Sequence, residues 1–175
     1  TLYGQGHNLT MLGQVEDGIR NLKASLEIPM MGESDKILNA SRNSALCLAY
    51  LRNGQFAEAL DHVAQHYQIT PAVPALSSVI NEHSAVLDAI FGLMENHLSG
   101  RHRLENPELE QLMQSFQRVP KTVKALRKLP VNAAGSWLYE GMYNHLNGKP
   151  TKAFADWKKC LEIAERNRQP YELGR

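Results

Sequence analysis

Cysteine, excess charge and long apolar runs are all scarce in this chain. Two of its 175 residues are cysteines, and 19 Lys and Arg residues are balanced by 18 Asp and Glu residues. A net charge of +1 gives no general basic surface for nucleic acid or an anionic membrane. No apolar run approaches the roughly 20 residues that a membrane-spanning helix needs. We therefore expect a cytoplasmic protein with no membrane span and no nucleic-acid partner.

The two cysteines occupy small, inward positions of two different predicted helical hairpins. A disulfide requires the two backbones to approach within about 7 Å, which hairpins that are not neighbours do not provide. We therefore expect Cys47 and Cys160 to be reduced packing residues.

Catalytic signatures are missing from the sequence. It has no glycine-rich phosphate loop ending in Lys-Ser or Lys-Thr. Gly4-Gln5-Gly6 lacks the third glycine and the preceding strand of a dinucleotide-binding fingerprint. No convincing strand is available to carry the metal-binding aspartates of a nucleotide cyclase. We predict that this part of the chain is not an enzyme and holds no cofactor.

The clearest pattern is a helix–turn–helix unit in the last forty residues. Trp137 and Gly141 place a large and a small residue on one helical face, and Asn147-Gly148-Lys149-Pro150 is a turn signal. The second helix is predicted to bury one face. The residues of that face are Ala153, Trp157, Cys160 and Leu161. Small and large residues around such a turn are typical of a tetratricopeptide (TPR) hairpin.

Two upstream segments repeat this pattern. In one, the turn glycine is Gly54 and the hairpin ends near Pro71; in the other, the turn glycine is Gly13 and Pro29 follows. The first of these segments has inward positions at Leu46, Cys47, Tyr50, Ala59, Leu60 and Val63. The second has them at Gly6, Leu9, Gly18, Leu22, Ser25 and Leu26. Such units stack, because one hairpin cannot bury its own apolar face.

A fourth, divergent hairpin fills the middle of the sequence. Residues 72–75 are a predicted linker, and an apolar stripe at helical spacing runs over residues 76–94. Asn106-Pro107-Glu108 is a helix start, and Pro120 is expected to kink or divide the helix that follows. We predict an all-α, TPR-like α-solenoid that forms a single array. Its antiparallel hairpins would cover residues 1–30, 38–71, 75–128 and 133–167.

The ends of the sequence also suggest repeats. The chain starts inside a predicted repeat, and Pro170 to Gly174 resembles the opening of another helix. A repeat array normally ends in polar capping elements. We therefore expect the sequence to be a piece of a larger protein.

The order of motifs from Leu109 onward resembles a known family of signalling proteins. It is similar to the C-terminal helical-repeat region of proteins, related to soluble adenylyl cyclase, that join a class III adenylate or guanylate cyclase to a P-loop ATPase. The motifs that carry the resemblance are residues 124–130, 137–141, 146–150, 153–161 and 170–174. It implies a non-catalytic regulatory or scaffolding segment in a parent chain that would be a nucleotide cyclase. The alternatives are a stand-alone TPR adaptor, or the repeat region of an ATPase-coupled kinase or transcriptional regulator.

Partner contacts are predicted on the first helices of the hairpins, which line the concave groove of a TPR array. The partner would be a protein, a peptide or another domain of the same chain. The lysine and asparagine pairs that grip a C-terminal carboxylate in some TPR proteins are absent at these positions. The predicted groove residues are Tyr3, His7, Leu48, Tyr139, Met142 and Tyr143.

A basic stretch follows Pro120. Lys121, Lys124 and Lys128 share a helical face, and Arg127 lies beside them. A solvated helix face is the simpler interpretation, because no aromatic residues interleave with the lysines as a nucleic-acid platform would require. The alternative is a patch for an anionic partner.

Histidines and tryptophans complete the candidate residues. His62 and His66 lie one helical turn apart, but no third ligand completes a metal site. We predict that His66 packs in the repeat, that His62 is solvated and that His83 is a satisfied core residue. Trp137 and Trp157 are predicted packing anchors of one hairpin.

Overall fold

The computed structural model describes residues 1–28, 34–70 and 80–169, and the regular structure in these ranges is helical throughout. The predicted all-α fold of TPR-like hairpins is confirmed over this part of the chain. Its eight α-helices are α1 (Leu2–Met11), α2 (Val15–Leu26), α3 (Ser34–Arg52), α4 (Phe56–Ile69), α5 (Ile80–Leu98), α6 (Asn106–Leu126), α7 (Ala133–Leu146) and α8 (Pro150–Asn167). A short 3₁₀ turn, Pro130–Asn132, precedes α7.

Consecutive helices pair into hairpins. Helices α1 and α2, α3 and α4, and α7 and α8 pack along each other, and the Phe91 ring of α5 meets the Phe116 ring of α6 edge-on, with centroids 6.1 Å apart.

The same turn ends the first helix of three hairpins. Gly13, Gly54 and Gly148 have φ angles of 84°, 73° and 69°, a left-handed conformation that glycine adopts without steric cost. In the first hairpin, the Gln14 amide donates to the Leu9 carbonyl at 2.9 Å and the Gly13 amide donates to the Thr10 carbonyl. This pair of hydrogen bonds is a Schellman motif. Equivalent pairs are present at Gly54 and at Gly148.

Glycines also set how closely paired helices approach. A Cβ atom on Gly6 would lie 2.9 Å from the Gly18 carbonyl oxygen, and one on Gly18 would lie 2.9 Å from that of Gly6. At Gly141 a Cβ atom would lie 2.3 Å from Nε1 of Trp157. The α1–α2 contact therefore includes backbone against backbone, besides the Leu22 and Thr10 side chains, whereas in the α7–α8 hairpin the indole fills the space that the glycine leaves.

The described residues fall into two compact units, and the division lies within α6, between Phe116 and Gln117. In the first unit the large, fully buried side chains come from α2 to α6. They include Leu22, Leu46, Leu60, Val63, Leu87, Ile90, Phe91, Leu93 and Leu112. In the second unit Ala134, Cys160 and Ala164 form a core cluster, against which Trp137, Leu138 and Ile163 pack. The single array and its hairpin limits stay predictions.

Pro120 does not divide the helix in which it lies, which was one of its two predicted effects; the other, a kink, stays a prediction. Helix α6 continues through it to Leu126. Proline removes one backbone hydrogen-bond donor, but side chains are buried at helical spacing both before and after Pro120. The buried side chains are Leu112, Phe116, Val119, Val123 and Leu126. Their burial keeps the segment helical despite the missing hydrogen bond.

Leu161 was predicted to be buried on α8, and this prediction is wrong, because its side chain is 46% exposed. The buried residues of α8 lie on one face of the helix, and Leu161 points about 100° away from Cys160, off that face. The inward positions are Ala153, Asp156, Cys160 and Ala164. Asp156 was not predicted to be buried, and it accepts a 2.8 Å hydrogen bond from the Asn144 amide of α7.

The predictions at Pro29, Pro71, residues 72–79 and Pro170 to Gly174 lie outside the described residues.

Gly18→Ala should lower the free energy of unfolding by about 2 kcal/mol, because the new methyl group meets backbone that cannot move away. Its Cβ atom would lie 2.3 Å from the Thr10 hydroxyl and 3.0 Å from the Thr10 amide nitrogen, besides the Gly6 carbonyl. Gly4→Ala in the same hairpin is the matched control, since its Cβ atom meets only the Thr1 hydroxyl, at 3.3 Å. Thermal and urea unfolding, followed by circular dichroism, measure the stability of both variants. Equal stability of the two variants would contradict the close approach of α1 and α2 at Gly18.

Candidate functional site

In the first unit, the structure brings together two of the predicted groove residues. Tyr3 and His7 lie one turn apart on α1, and their rings stack with centroids 6.3 Å apart and planes inclined by 26°. Both side chains are half-buried, so part of each is accessible to solvent.

Leu48 is placed differently from these two residues. Its side chain on α3 is 9% exposed and lies among buried neighbours on the same helix, Ala45 and Ala49. Every residue from Ala40 to Tyr50 is buried. Leu48 therefore contributes to the core of the first unit rather than to an accessible surface.

In the second unit, the three predicted groove residues of α7 divide in the same way. Tyr139 is 3% exposed, whereas Met142 and Tyr143 are half-buried. The inward positions of α7 are occupied by Ala134, Ser136, Tyr139, Gly141 and Asn144. Met142 and Tyr143 are thus the accessible members of the predicted set in this unit.

Two cations contact the Trp137 ring. The Arg127 guanidinium lies 3.6 Å from the centre of the indole, and the Lys159 ammonium lies 4.3 Å from it. Together with its packing against the core cluster of the second unit, this confirms Trp137 as a packing anchor. Trp157 packs over Gly141, as predicted for the second anchor.

Arg127 is also an ion-pair partner within the fold. Its guanidinium pairs with the Glu140 carboxylate of α7 and donates from Nε to the Ser136 hydroxyl at 3.3 Å. The sequence grouped Arg127 with the three lysines, but the structure gives it a separate role, which is to attach the end of α6 to α7.

The three lysines of the predicted anionic-partner patch remain at the surface. Lys121, Lys124 and Lys128 are all exposed. In residues 1–28, 34–70 and 80–169, no carboxylate forms a salt bridge with any of the three. Their charges are therefore balanced by solvent ions alone in this part of the chain.

A pair of buried histidines joins α3, α4 and α5. His66 Nδ1 lies 3.1 Å from the Ala40 carbonyl oxygen, and His66 Nε2 lies 3.1 Å from His83 Nδ1. A carbonyl oxygen can only accept, so His66 carries its proton on Nδ1 and accepts at Nε2. His83 must then donate from Nδ1. Its Nε2 lone pair is buried and has no hydrogen-bond partner among the described residues.

Burial lowers the pKa of both histidines. Desolvation is the main cause, and it brings the pKa of His83 to about 4, with His66 as a further contribution. For His66 the hydrogen bond to Ala40 opposes the effect of burial on the pKa. The prediction that His66 is a packing residue is confirmed, since its exposed fraction is zero. His83 is a core residue too, but only one of its ring nitrogens is satisfied.

His62 was predicted to be solvated, but its side chain is half-buried and hydrogen-bonded. Its Nδ1 lies 2.8 Å from the Asn43 amide oxygen, and its ring stacks on Tyr50 with centroids 5.4 Å apart. His62 and His66 thus engage different partners. Over the described ranges, no group of three or more His, Cys, Asp or Glu residues is arranged to hold a metal ion.

Both cysteines are buried, and neither forms a disulfide. Burial raises the pKa of the Cys47 thiol well above its usual range, and the thiol points at the Ser44 carbonyl, with the two atoms 3.0 Å apart. Cys47 is therefore protonated and acts as a small packing residue.

Among the described helices, none combines the length and apolar character that crossing a membrane requires.

Leu48→Glu should lower the free energy of unfolding by about 3 kcal/mol or more, because it places a carboxylate in the covered α3 position without a partner. Leu12→Glu is the matched control in the same unit, since Leu12 is 77% exposed. Urea unfolding measures the difference. If Leu48→Glu were as stable as Leu12→Glu, Leu48 would be accessible for a partner after all.

Stability should fall as the pH drops from about 6.5 towards 4, because the unfolded chain binds protons at His83 that the folded chain excludes. The loss attributable to His83 is about 3 kcal/mol over that range. His83→Asn retains a donor to His66 Nε2 but cannot titrate. Urea unfolding at a series of pH values should therefore give a flatter profile for this variant, and parallel profiles would contradict the assignment.

Comparisons with known proteins add little to this picture. No protein-family model matches the sequence, and no curated protein matches it significantly. Among solved structures, the chain is similar to nearly identical TPR-like repeats from a candidate kinesin light chain of Podosopora anserina. The match has a TM-score of 0.36 at 13% identity and covers 96% of this chain and 95% of the other. A TM-score this low carries no weight, so the fold assignment depends on the described helices themselves.

Proposed function

We propose that this chain is a non-catalytic helical-repeat segment that binds a protein partner, or another domain of its own chain, through the first helices of its hairpins. The observation that carries the proposal is the pair of accessible sets on α1 and α7. Tyr3 and His7 form the first set, and Met142 and Tyr143 form the second.

The chemical character of these side chains suits protein recognition. Tyrosine and methionine are enriched at protein interfaces, since they bury large apolar areas while tyrosine also offers a hydroxyl group. Each set is half-buried on a helix whose opposite face is covered by the second helix of the hairpin. Side chains that are already partly fixed lose less conformational entropy when a partner binds.

We further propose, on the sequence resemblance alone, that the segment belongs to a cytoplasmic cyclase–ATPase signalling protein. The residues in support are the motifs between 124 and 161, including Trp137 and Gly141, which have defined packing roles in the α7–α8 hairpin. The alternatives are a stand-alone TPR adaptor and the repeat region of an ATPase-coupled kinase or transcriptional regulator. The reading frame around this sequence distinguishes them, because a P-loop and cyclase aspartates upstream would support the first context.

Replacing Met142 and Tyr143 together by alanine should reduce recovery of specific partners at least tenfold, with little change in thermal unfolding. The measurement is quantitative affinity purification after crosslinking in cells, with Phe154→Ala as the matched control. Phe154 is an aromatic residue of the same unit, 72% exposed on α8, and its loss should leave recovery unchanged. Tyr3→Ala with His7→Ala tests the α1 set in the same way.

Two results would count against the proposal. If both double variants recovered the same partners as the unmodified chain, neither set would be a binding surface. If the purified chain turned over ATP or formed a cyclic nucleotide, the non-catalytic assignment would fail.

A further inference from the structure

The sequence carries a local charge imbalance that the balanced overall composition hides. Residues 111–139 contain five Lys and Arg residues and no Asp or Glu, although the whole chain has 19 basic and 18 acidic residues. The five cations are Arg118, Lys121, Lys124, Arg127 and Lys128. All of them lie on α6 or immediately after it.

The structure separates these cations by what they contact. Arg127 is neutralised by Glu140 and covers Trp137. Lys121, Lys124 and Lys128 are exposed and have no carboxylate partner among the described residues.

The three lysines lie on one side because α6 leads into a hydrogen-bonded turn that holds Arg127 and Lys128 close to the positions that a continued helix would give them. The Arg127 amide donates to the Val123 carbonyl at 3.0 Å, and the Lys128 amide donates to the Ala125 carbonyl at 3.2 Å. Spacings of three and four residues keep the lysines on one side of the helix, over a length of about 10 Å. We call Lys121, Lys124 and Lys128 the lysine face.

Carboxylates elsewhere in the described part of the second unit, residues 117–169, do not compensate this charge. Glu140 pairs with Arg127 and lies 3.9 Å from the Lys152 ammonium, and Asp156 is buried against Asn144. Glu162 and Glu165 are exposed on α8, and neither forms a salt bridge with the lysine face. The positive potential of the lysine face is therefore available to a partner.

We propose that the lysine face docks an acidic protein segment whose carboxylates recur at spacings of three and four residues. This inference rests on the proposed function and names the chemistry of one partner. A helical segment with that spacing would set three carboxylates opposite the three ammonium groups over the same length of about 10 Å.

The chemistry of the lysine face favours a protein over a nucleic acid. Arg127, the arginine that lies beside the lysines, is already engaged with Glu140 and covers Trp137, so its bidentate fork is not available to a phosphate. The side chains between the lysines include buried Thr122 and Val123 and no aromatic residue, so bases would find no stacking platform there.

The test uses a fluorescein-labelled helical peptide with glutamates at positions i, i+3 and i+7, and the 175-residue chain. Fluorescence anisotropy at low salt should show binding that weakens steeply when salt is raised. Replacing all three lysines of the lysine face by glutamate should weaken binding at least tenfold. Replacing the same three lysines by glutamine should also weaken peptide binding. This variant removes the positive charges without adding carboxylates near the C-terminus of α6, where negative charge is unfavourable.

The matched control changes the same net charge elsewhere in the second unit. Lys149→Glu, Lys158→Glu and Arg166→Glu replace three exposed cations and should change the affinity less than twofold. A peptide of identical composition with its glutamates on alternating faces should bind more weakly than the matched peptide. Circular dichroism melting shows whether each variant is folded.

Several outcomes would overturn the inference. They are no binding of the peptide at low salt, equal losses in the lysine-face and control variants, and equal binding of the two peptides. Tighter, lysine-face-dependent binding of single-stranded RNA or of phosphatidylserine vesicles would assign the face to another class of partner. None of these results bears on the test at Met142 and Tyr143. The proposed function can therefore stand when this inference fails, and this inference can stand when the test at Met142 and Tyr143 fails.

Discussion

The α1–α2 hairpin depends on a close approach of two helix backbones at a pair of glycines. Gly6 and Gly18 face each other so closely that a methyl group on either would lie 2.9 Å from the other's carbonyl oxygen. Dispersion contacts fall off steeply with distance, so this approach gives short helices of 10 and 12 residues enough contact to pair. The α7–α8 hairpin uses the space above Gly141 differently, since the Trp157 ring occupies it.

The features that could be predicted from the sequence are those that neighbours along the chain determine. Glycine at the turn and small residues beside it identify a hairpin, because the Schellman motif and the close helix contact both need glycine. The directions of single side chains were predicted less well. Leu161 was expected on the buried face of α8, but it follows buried Cys160 and its side chain points about 100° away from that of Cys160. Leu48 was expected in a groove, but α3 has no accessible position between Ala40 and Tyr50.

Polar contacts across the core were beyond sequence reasoning, because they join residues that only the folded chain brings together. His66 and His83 are 17 positions apart, and Asn144 and Asp156 are 12 apart. Burial was predicted for His66 and His83 but not their contact with each other, and neither the burial nor the contact of Asn144 and Asp156 was predicted; each of the four is buried with a specific partner. One signal was present for Asp156: it lies four residues before Cys160 and three after Ala153, on the inward face of α8. Directional bonds of this kind fix which faces of two helices meet, which apolar contacts alone do not.

The basic stretch shows how packing assigns different roles to residues of one chemical class. Arg127 and Lys128 are neighbours in the sequence, yet Arg127 turns towards Trp137 and Glu140 while Lys128 stays in solvent. A planar guanidinium can stack on an indole and bond a carboxylate at the same time, which an ammonium group cannot do as well. The fold therefore uses the arginine to attach α6 to α7 and leaves the lysines uncompensated. Because Glu140 is already committed to Arg127 and lies near Lys152, the negative charge that would balance the lysine face has to come from outside the α7–α8 hairpin.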